Sequence, residues 1–277
     1  MNFFNIICPS KELAPYIRHY WHFQIDANQR FIDKIVPIGC VYMLFQLGDN
    51  PLYDYTRKDF RPRIFVCGQE SELSDVGSNG DTELLTVVFQ PYAAKTFFNM
   101  PMNLIYKQRI DVNDLDDNEL KNLATRVANE KSADNGIRLI EDFMCQRLNH
   151  ITDYHLKRIT AVVRDIVINP DHSLMDFSDI ACLSPKQLSR VFMETVGASP
   201  KVLSRIVRVR KALFLLRSNL YSLSQISYKC GFTDSSHMNK EFKIFTNCTP
   251  MEYLCNYQLD RDPYSEYIFA SSDTFEM

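Results

Sequence analysis

Leu188-Ser189-Arg190-Val191-Phe192, followed by Gly197-x-Ser199-Pro200, returns fifty positions later as Met238-Asn239-Lys240-Glu241-Phe242, followed by Asn247-x-Thr249-Pro250. Upstream, Phe177-Ser178 and Cys182-Leu183 match Ile226-Ser227 and Gly231-Phe232 at an offset of forty-nine. The one-residue slip falls in the turn between two short helices. Self-similarity at a fixed period marks a duplicated supersecondary unit. A short helix, a turn and a second short helix with a polar outer face read as a helix-turn-helix. The spacing places the two units at about 174–195 and 222–245.

Ser184-Pro185-Lys186-Gln187 is a strong helix start. Ser184 caps, Pro185 fits the first helical position, and Gln187 completes a capping box. Leu188, Val191 and Phe192 then form one apolar stripe, with Lys186, Ser189, Arg190 and Met193 on the other face. Gly197 is a natural stop because it tolerates the left-handed conformation. In the first helix of the unit, Phe177, Ile180 and Ala181 are expected to form the matching stripe, with the small Ser178 at the helix crossing. Cys182 stands where the second copy has Gly231, a poor choice if that turn needs positive φ. In the second copy Thr233 or Asp234 caps, Met238 and Phe242 are the core pair, and Ser235, Ser236, His237, Asn239 and Lys240 are expected on the exposed side.

Between the copies, Lys201 to Ser218 reads as one long helix. Val202, Ile206, Val209, Leu213 and Leu216 form its apolar stripe, and Arg205, Arg208 and Lys211 lie off it. From Ser184 to Lys243 there are eleven Lys/Arg against Glu194, Asp234 and Glu241, a net +8 in a chain of formal charge −3. A solvated charged face is the ordinary meaning of a basic run. Here the basic residues bracket two matched, capped helices, which suits neutralising the phosphates of double-stranded DNA. A rigid connector would hold the two helices for adjacent major grooves, about 34 Å apart on one face of the duplex.

At these residues the chain resembles the AraC/XylS family of transcription regulators, over about Ser173 to Leu254. The resemblance is carried by both copies and the linker, by Gly231-Phe232-x-Asp234-x-Ser236-His237, by Phe242-Lys243 and by Thr249-Pro250-x-x-Tyr253. It implies that exposed positions of the reading helices contact bases: Lys186, Ser189 and Arg190 in the first, Ser236, His237 and Lys240 in the second. Gln187, Ser235, Asn239 and Lys243 complete the expected DNA-binding set. Three departures stand out: Asn247 where glycine is usual, Lys240 where arginine is common, and Met238 where an aromatic is common. Asn adopts left-handed geometry. Lysine lacks the bidentate fork that reads guanine, so the second helix is expected to add affinity more than specificity.

The expected fold class is α+β. Residues 1–150 form a β-rich, barrel-like regulatory or dimerisation domain with C-terminal helices, 151–256 an all-α DNA-binding domain, and 257–277 a tail. Cys40-Val41-Tyr42-Met43-Leu44-Phe45-Gln46-Leu47, Ile64-Phe65-Val66-Cys67 and Leu84-Leu85-Thr86-Val87-Val88-Phe89 read as strands in a β-rich stretch from 16 to about 90. A short helix follows from Ala93 to Asn99. The span Asp114–Asn149 reads as helical with Ile137, Ile140, Met144 and Leu148 on one face, and His155–Ile168 as a further helix. Pro37-x-Gly39-Cys40, Cys67-Gly68-Gln69, Val88-Phe89-Gln90-Pro91 and Phe143-x-x-Gln146-Arg147-Leu148 are similar to the regulatory domain that precedes some DNA-binding domains of this family. That similarity implies a small-molecule effector, a homodimer, or both. The 114–149 stripe could serve a dimer or pack on the barrel. Tyr16, Tyr20, Trp21, Phe23, Tyr42 and Phe45 are pocket candidates, although strand aromatics are commonly plain core.

No cofactor and no metal are expected. His19 and His22 point to opposite faces of a strand. The acidic group Asp111, Asp114, Asp116, Asp117 and Glu119 lacks calcium-loop spacing and reads as a solvated helix entry. Eight cysteines without C-x-x-C spacing suggest reduced, mostly buried thiols in a cytoplasmic protein. Neither a membrane span nor a secretory signal is legible. The composition, 45% hydrophobic and 23% charged, fits a soluble globular chain. An enzyme is not expected: there is no nucleophile–base pair, and no cysteine has the partners of a repair alkyltransferase. The expected function is sequence-specific transcription regulation, as an activator, with RNA polymerase as a partner. The alternative is a protein-interaction regulator with degenerate DNA binding, for which Cys182, Lys240 and Asn247 are the weak points.

Overall fold

A computed structural model describes residues 3–25, 30–130, 132–148 and 154–256. The tail aromatics Tyr264, Tyr267, Phe269 and Phe275, with Glu276, and the 150/151 boundary lie outside these residues. The first part holds two antiparallel sheets. The larger orders its strands β1-β2-β9-β4-β7-β10, with β1 Phe3–Ile7, β2 Ile17–Ile25, β4 Tyr42–Gln46, β7 Ile64–Cys67, β9 Thr82–Phe89 and β10 Arg109–Asp111. The smaller orders β3-β8-β5-β6, with β3 Arg30–Ile35, β5 Tyr53–Asp54, β6 Asp59–Phe60 and β8 Ser74–Asn79.

The central strands are apolar in long runs because both faces of the large sheet are covered. In β4, Met43 and Phe45 enter one core while Tyr42 and Leu44 enter another. In β9, Leu85, Val87 and Phe89 share the first core, and Val88, with the partly buried Leu84, joins the second. Side chains alternate across a strand, so one face takes helices and the other the small sheet.

The helical side is α1 Ala94–Phe98, α2 Asn118–Ala128 and α3 Ala133–Leu148. The helical pattern over 114–149 falls into two helices, α2 and α3. Asp117 caps α2 by accepting from the Leu120 N–H at 2.9 Å, which is the helix entry the acidic group suggested. Ile137, Ile140 and Met144 of α3 pack into the sheet core, so the stripe is spent on the β-domain.

The second part is α-helical: α4 Leu156–Ile168, α5 Leu174–Ala181, α6 Pro185–Val196, α7 Pro200–Ser218, α8 Leu223–Lys229, α9 Ser235–Thr246 and α10 Pro250–Asn256. The expected stripe of α7 is buried from Ile206 to Leu216, but so are Leu203, Ser204, Val207 and Arg210. The helix is enclosed nearly all round because the β-domain covers its remaining side. Val36 and Leu73 share a core cluster with Ile206 and Val209. Gly39, at φ 71, lies against α7: a Cβ there would meet Leu203 Cδ1 at 3.0 Å.

Two further expectations need correction. Ile180 is 38% exposed, because the buried face of α5 is centred on Phe177, Ser178 and Ala181. The cysteines are not mostly buried: Cys40, Cys67 and Cys230 are, whereas Cys8, Cys182 and Cys255 are exposed. Among the described residues no disulfide forms and no three His/Cys/Asp/Glu side chains gather as metal ligands. His19 stacks near Trp21, and His22 Nε2 meets Glu83 Oε1 at 2.8 Å. No described helix is long and apolar enough to cross a membrane.

Candidate nucleic-acid interface

Each helix-turn-helix is fixed by its caps. Ser173 and Asp176 form a capping box at the start of α5, Ser184 and Gln187 at α6, and Ser222 and Gln225 at α8. Asp234 caps α9, its carboxylate accepting from the His237 N–H at 2.7 Å. The stops are equally matched: Gly197 ends α6 at φ 83 and Asn247 ends α9 at φ 59, both left-handed. The inter-helix turn does need positive φ, which Gly231 meets at 72° and Cys182 at 50°.

The duplication reaches further upstream than the sequence motif suggested. Ile159, Val162, Val163 and Ile166 of α4 are buried, and so are Val209, Ala212, Leu213 and Leu216, each fifty residues on. Asn169 and Asn219 terminate the two helices at the same offset. Each unit is therefore three helices, and α7 is at once the connector and the first helix of the second unit.

On α6, Lys186, Gln187 and Arg190 are exposed. Gln187 is engaged in its capping box, its Oε1 accepting from the Ser184 hydroxyl at 3.0 Å. Ser189 is half-buried and donates to the Pro185 carbonyl at 2.8 Å, so its hydroxyl is turned onto its own helix. Arg190 keeps 68% of its side chain exposed and stands 3.7 Å from Glu194. On α9, Ser236, Lys240 and Lys243 are exposed and fall at i, i+4 and i+7, one face of the helix. Ser235, His237 and Asn239 are half-buried. The His237 ring packs edge-on against Phe232 at 5.6 Å, and Ser235 Oγ reaches Ser224 Oγ at 3.4 Å. The structure thus gathers Lys186 and Arg190 on one outer face and Ser236, Lys240 and Lys243 on the other, with Ser189, Ser235, His237 and Asn239 at their margins.

Part of the positive charge is internal. Arg205 Nε meets Glu241 Oε2 at 2.6 Å, and its guanidinium lies over the Phe245 ring. Arg217 donates to the Tyr253 hydroxyl, and Arg210 is only 1% exposed. The exposed basic residues of this span are Lys186, Arg190, Lys201, Lys229, Lys240 and Lys243. Lys201, on the first turn of α7, is a phosphate-contact candidate that the motif comparison passed over. Its only sequence signal was its place just after the first reading helix.

Of the six pocket candidates in the β-domain, Tyr20 and Phe45 are fully buried core, and Tyr16 packs against that core. Trp21, Phe23 and Tyr42 line a cavity between the two sheets.

A family described as a helix-turn-helix domain matches residues 177–255, and a family described as a domain of unknown function (DUF6597) matches residues 5–111. The HTH-type transcriptional activator RhaS of Escherichia coli O1:K1 is 33% identical over 75 residues, 27% of each chain. The arabinose operon regulatory protein of Escherichia coli K12 is 23% identical over 124 residues, 42% of each chain. The chain spans less than half the length of the curated relatives it matches. The crystal structure of ToxT from Vibrio cholerae aligns with a TM-score of 0.44 at 16% identity, covering 85% of this chain and 97% of that one. Behind a β-rich N-terminal domain, this chain carries two helix-turn-helix units, and the residues that form them match the helix-turn-helix domain family and are similar to those of AraC-type regulators.

Proposed function

We propose that the chain is a sequence-specific DNA-binding transcription regulator acting in the cytoplasm, more as activator than repressor, and not an enzyme. The observation that carries this is the pair of matched outer faces, Lys186/Arg190 and Ser236/Lys240/Lys243, presented by capped helices that one helix joins. In this reading residues 151–256 bind double-stranded DNA, with Arg190 at base edges and Lys186, Lys201, Lys240 and Lys243 at phosphates or base edges. Gln187, Ser189, Ser235, His237 and Asn239 line the margins of the contact. RNA polymerase is the further partner of an activator. Residues 1–150 form the regulatory domain, where the cavity between the sheets takes a small-molecule effector. A homodimer would have to use a surface other than the α3 stripe, which the sheet core occupies.

Affinity for a retained genomic fragment, compared with random DNA of equal length across a salt series, tests the reading. Preference for the retained fragment at every salt concentration, with affinity falling as salt rises, is expected. Equal affinity for both would overturn it and favour the protein-interaction alternative.

A further inference from the structure

The cavity between the sheets has a chemistry of its own. Its walls include Trp21 and Phe23 from β2, Phe31 and Ile35 from β3, and Tyr42 and Leu44 from β4. The space between these walls, about 710 Å³, runs out into open solvent at its mouth. Two charged side chains reach it, Arg61 and Asp33.

Arg61 is not available to a ligand. Its Nη2 and Nε donate to Asp54 Oδ2 at 3.0 and 3.3 Å, and both side chains are almost completely buried. Asp54 also pairs with Arg109, which in turn pairs with Glu70 at 2.7 Å. Two cations and two carboxylates make this network neutral, so the cavity floor has no spare positive charge. Asp33, half-buried, is the other charged side chain of the wall and brings no positive charge. An anionic ligand would lose its hydration and find no counter-charge. A sugar fares little better. Of the lining side chains only those of Trp21, Asp33, Tyr42, Arg61 and Thr86 carry polar atoms, and Arg61 is already engaged, which is too few for a ring of hydroxyls; each buried unsatisfied hydroxyl costs about 1–3 kcal/mol. Aromatic faces, by contrast, reward a flat apolar molecule through area and ring geometry.

We propose that this cavity binds an uncharged, flat, largely apolar molecule, and that such a compound is the class of effector the regulator senses. The second clause rests on the regulatory reading given above; the first does not. Trp21 is the only tryptophan in the chain, so its emission reports on this site alone.

Two near-isosteric probes test the proposal on the full chain: neutral N-phenyl-1-naphthylamine and its sulfonated analogue 8-anilinonaphthalene-1-sulfonate. The neutral probe is expected to quench Trp21 and show saturable energy transfer from it. The sulfonate should bind weaker by roughly tenfold or more, as an unpaired buried anion must. Asp33→Lys, on the half-exposed wall, should improve sulfonate binding while leaving the neutral probe nearly unchanged. Ile35→Phe, which fills the cavity from an edge strand, should weaken the neutral probe, with circular dichroism confirming the fold. No energy transfer from Trp21 to either probe would overturn the site, and sulfonate binding as tight as the neutral probe would overturn the ligand class. DNA affinity with and without probe separates the two readings. Neutral-probe binding without any change in DNA affinity supports the ligand class and sinks the effector role. A DNA response to the sulfonate alone does the reverse.

Discussion

Arg158 and Arg208 hold equivalent places fifty residues apart. Arg158, on α4, donates to the carbonyls of Ala181 and Cys182 at 3.3 and 3.0 Å; Arg208, on α7, donates to the Gly231 carbonyl at 3.3 Å. Each ties the first helix of its unit to the turn of its own helix-turn-helix. The last carbonyls of a short helix lack intrahelical partners, and a guanidinium from the neighbouring helix satisfies them. Replacing either arginine by Ala is expected to cost about 1.5–3 kcal/mol, as a charge-assisted hydrogen bond should. Footprints should then weaken over one half of the DNA site only, a different half for each variant. Loss over both halves from either change would mean the units do not act separately.

The Arg205–Glu241 fork ties α7 to α9, the second of the two proposed reading helices. Glu241→Gln should lower affinity for a site with both half-boxes while hardly changing that for the first half-box alone. Thermal unfolding should move little, since partly exposed pairs contribute roughly 0–1 kcal/mol. A large fall in melting temperature would instead mark the pair as structural.

Arg190 and Lys201 should separate base reading from phosphate contact. Arg190→Ala is expected to cost about 1–3 kcal/mol on the specific site and little on random DNA. Lys201→Ala should weaken both equally and flatten the salt dependence. Competition titrations in parallel settle the pair.

Asp54 makes the β-domain acid-sensitive. Burial pushes its carboxyl upward, but the Arg57 backbone N–H and the Arg109 and Arg61 guanidinium groups outweigh this and hold it below the usual 3.8. A carboxylate lowered on folding contributes stability that is fully present above the unfolded value. That contribution fades as pH falls from about 4 through the folded value. Asp54→Asn leaves two buried arginines short of a partner and should destabilise by roughly 3–5 kcal/mol at neutral pH. Urea midpoints at neutral and acid pH should show the two proteins converging in acid.

Cys182 is an exposed, non-glycine residue at φ 50. Cys182→Gly relieves the left-handed penalty but loosens the unfolded chain, for a net gain of roughly 0.5–1 kcal/mol. A lower urea midpoint would mean that the thiol packs usefully where it stands.

What was legible in the sequence was local. Ser184, Pro185 and Gln187 announce α6 because a cap acts within three residues, and the repeat fixed the second unit by copying the first. Arg205 and Arg208 looked like solvent-facing cations because their partners, Glu241 and Gly231, lie 36 and 23 residues away. The repeat between α4 and α7 was hidden because only the apolar pattern, Arg158/Arg208 and Asn169/Asn219 survive in it. Trp21 and Tyr20 could not be separated into cavity and core from alternation alone. That split depends on which face of β2 meets the helices and which meets the small sheet. For the same reason the cavity's neutrality was invisible: it depends on Asp54 meeting Arg109 across the fold.

The most direct measurement is selection of genomic fragments by the purified full-length protein across a salt series, followed by sequencing. A small set of enriched sites is expected, each with two short motifs centred about one helical turn apart. Salt-sensitive retention with no enriched sequence would contradict sequence-specific regulation by this double helix-turn-helix.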